Sequence, residues 1–105
     1  MKYTDYLLPD VKESTVEARL QEAAEAMDDY LKYQNDDEVE VYVDQYFDPT
    51  KYFTKRFLRD YDLMAELGEH IRHKMAYENY LFAGVLGRLN GDKIYTLSLV
   101  FERAE

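Results

Sequence analysis

His70 and His73 are the only imidazoles in the chain, and they fall in the run Glu69-His70-Ile71-Arg72-His73. On a helix, a spacing of three residues sets both rings on neighbouring faces, where they can share a ligand. Glu66 or Glu69 would add a carboxylate, and that trio could hold a transition metal. Three features argue the other way. The run is not H-E-x-x-H, the ligand set is incomplete, and Arg72 and Lys74 would repel a cation. The expectation is a charged helix whose histidines bind no metal, with no cofactor implied elsewhere.

Nucleophilic chemistry has still less to build on. The chain has no cysteine, and its two serines are Ser14 and Ser98. Neither lies in a G-x-S-x-G elbow. Glu40 and Asp44, two strand steps apart, are the best-placed carboxylate pair for acid–base work. With 22 acidic residues, however, close pairs arise without selection for catalysis. Phosphate-cradling loops are absent, because Gly84 and Gly87 sit inside a predicted strand and not at a helix entrance. Lys51 to Arg59 interleaves cations with Tyr52, Phe53 and Phe57, a pattern that can bind single-stranded nucleic acid. Here the aromatics recur at helical spacing, which reads as core. No constellation here names a reaction, so the enzyme question stays open and the reading favours a non-catalytic protein.

The elements that would carry these residues follow from their spacing. Tyr3 to Leu8 reads as a short edge strand before Pro9-Asp10. Ser14 and Glu17 form a capping box that opens a first helix. Val16, Leu20, Ala23, Met27, Tyr30 and Leu31 supply its buried stripe, and Asn35-Asp36-Asp37 ends it. Glu38 to Phe47 alternates as a strand, with Val39, Val41 and Val43 inward and Glu40, Tyr42, Asp44 and Tyr46 outward. Asp48-Pro49 starts another helix, broken near Asp60-Tyr61-Asp62. A third runs from about Leu63 to Glu78, where Gly68 costs about 1 kcal/mol relative to Ala and so points to a close packing contact. Asn90-Gly91 then marks a two-residue hairpin turn between strands of residues 80–89 and 92–102. That loop pairs Leu89 with Asp92, Gly87 with Ile94, Gly84 with Leu97 and Phe82 with Leu99. One hairpin face carries Tyr80, Phe82, Leu86, Tyr95, Leu97, Leu99 and Phe101; the other carries Leu81, Ala83, Val85, Ile94, Thr96, Ser98 and Val100, and a helix is expected over this smaller one. The fold class is α+β: a three-stranded, mainly antiparallel sheet with about three helices, in the order α-β-α-α-β-β, as one domain over residues 1–105.

Charge is the strongest functional signal. Of the 105 residues, the first fifty hold fourteen acids against Lys2, Lys12, Arg19 and Lys32, a net of −10. The remainder carries +1, giving −9 overall. Nucleic acid and anionic membrane would repel such a surface, so neither is a direct partner. Seven of the eleven tyrosines also lie within residues 1–52, and tyrosine is enriched in interface cores. Glu22, Glu25, Asp28 and Asp29 on the first helix, Asp36, Asp37 and Glu38 after it, and Glu40, Tyr42, Asp44 and Tyr46 on the strand are therefore the candidate partner-binding residues. They suit a basic protein surface, such as that of a nucleic-acid-binding protein. Small acidic domains of this kind include nucleic-acid-mimicking inhibitors of restriction and CRISPR systems, a likeness of charge and size only. One alternative is an accessory subunit that self-associates or joins a larger assembly through its apolar hairpin. Another is a small enzyme or metal protein built on His70 and His73. The absence of cysteine, of a signal-peptide run and of any span of about 18 apolar residues leads to the expectation of a cytoplasmic protein.

Overall fold

The computed structural model describes residues 3–90 and 94–104. A long helix, α1 (Glu13–Lys32), is followed by β1 (Glu38–Tyr42), the short helix α2 (Lys55–Leu58), α3 (Tyr61–Arg72) and the hairpin strands β2 (Tyr80–Asn90) and β3 (Ile94–Arg103). The sheet is antiparallel with the order β1-β3-β2, so the last strand is the central one. This is the α+β class and element order expected from the sequence.

Helices cover one face of the sheet. Val39 and Val41 of β1 and Leu97, Leu99 and Phe101 of β3 join one buried core with Val16, Leu20, Ala23, Ala24, Met27 and Leu31 of α1. Phe53 and Phe57 stack at 4.1 Å inside that core, which settles the Lys51–Arg59 aromatics as packing residues. Gly68 explains how α3 comes so near the sheet: a Cβ there would sit 3.1 Å from Leu99 and from Val85 side-chain atoms.

Several local expectations change. Tyr3–Tyr6 is a 3-10 turn, and only Leu7 makes a β-bridge, to Phe53. α1 begins at Glu13, so Ser14 falls inside its first turn and does not cap it; Lys12 takes the cap position, and its side chain has no acceptor to offer. β1 stops at Tyr42, and Val43–Gln45 folds into a 3-10 turn that still buries Val43. Burial therefore kept a period of two after the strand had ended. Asp48 caps only one 3-10 turn, accepting from Thr50 N at 3.0 Å, with Pro49 at its start. Thr54 caps α2 and Asp60 caps α3, the latter accepting from Leu63 N at 3.2 Å, so the expected break is a true helix boundary. α3 ends at Arg72, six residues before the expected Glu78.

The hairpin register is also corrected. Asn90 pairs with Ile94, Gly87 with Leu97 and Gly84 with Val100, so three residues, not two, separate the strands. Gly91 of the expected turn lies outside the described residues. A bulge between Phe82 and Gly84 then resets the alternation, so that Phe82 faces Phe101 and Val85 faces Leu99. Val85 thereby packs against the core, while Leu86 turns outward and is exposed. The helices cover the larger apolar face, not the smaller one.

Candidate functional site

Among the described residues, no helix packs on the other face of the sheet. Its rows follow from the register: Glu38–Glu102–Leu81, then Glu40–Val100–Gly84, then Tyr42–Ser98–Leu86, each written from β1 across β3 to β2. Along β2 the face is apolar, with Leu81 63% exposed and Ala83 and Leu86 also open to solvent. Along β1 it is acidic. Glu38 and Glu102 stand directly opposite one another, both exposed, although like charges in that position repel. With Asp37 they line a hollow of about 520 Å³ at the end of the sheet. Arg103 borders the same hollow, but its guanidinium donates to Asn35 O at 2.6 Å. At the centre, Ser98 donates its hydroxyl to Glu40 and is buried between its neighbours Tyr42 and Leu86. The arrangement is an apolar strip beside a row of carboxylates on one sheet face.

The remaining candidates are distributed around the molecule. Glu22, Glu25 and Asp29 are exposed on α1, in the helical layer and so on the opposite side of the sheet from Glu38, Glu40 and Tyr42. Part of that stripe is balanced locally: Glu22 pairs with Arg19 at 2.8 Å, and Lys32 lies 3.7 Å from Asp29. Asp28 is corrected from an outward to an inward residue, being 9% exposed and held by Lys32 at 3.2 Å. Asp36 and Asp37 lie exposed in the loop that leads into β1. Asp44 is exposed on the 3-10 turn and does not share a strand face with Glu40, which removes that pair as an acid–base dyad. Tyr46 is half-buried against the core, and burial followed by the neighbouring Tyr30 pushes its ionisation up. The expected single acidic face is therefore two faces, back to back.

Compared with known protein families, characterised proteins and solved structures, the chain matches none.

The histidines diverge. His70 Nε2 meets both carboxylate oxygens of Glu17 at 3.1 Å, whereas His73 lies 3.8 Å from Glu69 at the end of α3. Among the described residues, no three His, Cys, Asp or Glu side chains are gathered to hold a metal ion. Glu17 also takes Lys74 Nζ at 3.0 Å, so one carboxylate joins α1 to the His70 ring of α3 and to the lysine just past its end. Burial opposes ionisation of Glu17, but the bonds and charges of Lys74 and His70 outweigh it and hold the carboxyl below its ordinary value. The cluster can lock two helices together; the hydroxyl of Ser98 lies across the sheet from it. Glu17 and Tyr3 were not legible as site residues, because their partners lie more than fifty positions away in sequence. Leu81 and Leu86 were visible as hairpin apolar residues, yet their outward aim depends on the bulge. Among the described residues, no helix is long and apolar enough to cross a membrane.

Proposed function

We propose that this protein is a non-catalytic binding domain that docks the open face of its sheet on a basic surface of another protein. The observation that carries the reading is the juxtaposition of the exposed Leu81–Leu86 strip with the opposed Glu38–Glu102 pair. An apolar centre with a charged border is how protein interfaces are built. A cationic side chain entering between Glu38 and Glu102 would also relieve their repulsion. Tyr42, exposed on the same face, adds rigid amphipathic area. Within this reading, a nucleic-acid-binding partner fits best, since its basic groove matches the −9 charge of the chain. The protein would then act as an inhibitor that excludes DNA or RNA.

The test is affinity capture from the source cell with three baits: the natural chain, the triple variant Glu38→Lys/Glu102→Lys/Leu81→Asp, and the α1 variant Glu22→Lys/Glu25→Lys/Asp29→Lys. The expected result is a basic protein retained by the natural chain and the α1 variant, released by the sheet variant and by high salt. Equal retention by all three baits sinks the proposal. Release by the α1 variant alone moves the site to the helical layer. A concentration-dependent mass above 12.5 kDa in sedimentation, abolished by the sheet variant, supports the accessory-subunit reading in its place.

A further inference from the structure

β1 and β2 are both edges of the sheet, and they are built differently. β1 has five residues and carries Glu38 and Glu40, the short, charged form by which edges avoid pairing with other chains. β2 has eleven residues, no proline and no lysine, and Arg88 is its only charge. Its pairing with β3 determines which of its backbone groups are occupied. Arg103 N donates to Asp37 O beside β1 and Ala104 N to Asn79 O beside β2, so the even-numbered residues of β3 address β2. Beyond the bulge their partners are Gly84, Leu86, Arg88 and Asn90. The N–H and C=O groups of Val85, Gly87 and Leu89 therefore point away from β3, along an outer rim, and meet no backbone partner among the described residues. Tyr61 lies over this rim. Its hydroxyl donates to Val85 O at 3.4 Å, and its ring rests on Gly87, where a Cβ would fall 2.5 Å from ring carbons. The bond is long and Tyr61 is 41% exposed, so this cover is easily displaced.

Beside the rim, α3 supplies a wall. Tyr61, Asp62, Ala65, Glu66, Glu69 and Val85 enclose a hollow of about 470 Å³. Asp62 and Glu66 are exposed, share one side of the helix and have no ion pair among the described residues. We propose that the rim of β2 from Gly84 to Asn90 takes a fourth strand, an extended segment of another protein with Lys or Arg at every second position. Open backbone groups at strand spacing select an extended chain. Its side chains alternate between the two sides of the sheet. Those on the helical side fall beside Val85 and Gly87, where their stems cross Tyr61 and Ala65 and their charged ends reach Asp62 and Glu66. Those on the other side continue the apolar strip of Leu86, so apolar residues suit them. A second copy of this chain is the poorer occupant. Antiparallel pairing of two β2 strands keeps both helical layers on one side, with Asp62 and Glu66 of each copy facing their like. The inference concerns the rim of β2 and not the Glu38–Glu102 end of the open face, and either can fail without the other.

The probe is a synthetic peptide alternating lysine and valine, as long as Gly84–Asn90, added to the full chain and followed by backbone amide shifts. Shifts are expected to saturate at Val85, Gly87 and Leu89, the exchange of these amides with solvent should slow, and the ring signals of Tyr61 should move with them. The same peptide methylated at every backbone nitrogen keeps its charge and loses its donors, and should bind at least about tenfold more weakly. Asp62→Asn/Glu66→Gln should weaken the plain peptide about three- to tenfold. Glu38→Gln/Glu102→Gln, remote from the rim, should change its affinity by less than about twofold at physiological salt. Equal affinity of the plain and methylated peptides would show charge attraction alone and overturn the proposal. So would saturation at Glu38 and Glu102 in place of Val85 and Gly87, or full affinity in Asp62→Asn/Glu66→Gln. A dimer of the free chain in sedimentation, with the amides of Val85 and Gly87 already slow to exchange, would assign the rim to a second copy and overturn it equally.

Discussion

Glu17 and Glu38 are the same residue in opposite circumstances. Glu17, between α1 and α3, is answered within the chain, by Lys74 at 3.0 Å and the His70 ring at 3.1 Å. Glu38, on the open sheet face, stands opposite another carboxylate, Glu102. The difference teaches that counting acids cannot separate structure from function. A carboxylate whose charge is answered within the chain contributes to the fold. One whose nearest cross-strand neighbour repeats its charge is kept at some cost, which a cation reaching the pair would relieve.

The comparison breaks most visibly at the level of the sheet itself. Leu99 and Leu81 are both sheet leucines, but Leu99 is 0% exposed beneath α3 and Leu81 projects into solvent. Leu99→Ala should cost about 2–5 kcal/mol by denaturant unfolding. Leu81→Ala should change stability by less than about 0.5 kcal/mol. Comparable losses would mean that the outer face is covered and is not a surface at all.

A smaller effect tests the helix junction. Glu17→Gln should lower stability at neutral pH by roughly 0.5–1 kcal/mol, a modest figure because the group is partly exposed. The carboxyl is held below its ordinary 4.5, so its contribution is complete above that pH and is lost as pH falls through the folded value. Melting curves of the natural chain and Glu17→Gln should therefore differ at pH 7 and converge in acid. A gap that widens in acid would reverse the assignment.

The smallest effect has the opposite sign. Glu38→Gln or Glu102→Gln should raise stability by roughly 0.2–1 kcal/mol by removing the opposed like charges. The gain should shrink in high salt. Loss of stability in both variants would show that the pair is answered within the chain, and the case for a basic partner would weaken with it.

How much of this the sequence disclosed depends on how far apart the interacting residues lie. Val16 to Leu31 announced α1 by period, and Val39 and Val41 announced β1, since each pattern is local. The register of the hairpin was not legible, because both faces of β2 and β3 are apolar and a slip leaves hydrophobic residues on either side. Only the packing of Leu97, Leu99 and Phe101 under the helices, with the bulge at Phe82–Gly84, decides which residues face outward. The acidic residues were legible as composition but their arrangement was not. Asp28 and Glu22 look alike in sequence, and one is buried while the other is exposed. Tyr3 and Glu17 required contacts with α3 that no local pattern encodes.

The central place of β3 has a consequence for the order of events in folding. β2 and β3 are joined by a short loop, so they can pair at little entropic cost, whereas β1 must find β3 across the whole of α2, α3 and β2. The hairpin is the natural nucleus, and β1 is the strand that closes the sheet late. Substitutions such as Val41→Ala in β1 should then act chiefly on the unfolding limb of a chevron plot, and Leu97→Ala in β3 on the refolding limb as well. The edge strand bearing Glu38, Glu40 and Tyr42 is thus the part of the sheet most readily released and re-formed while the hairpin and its helices persist.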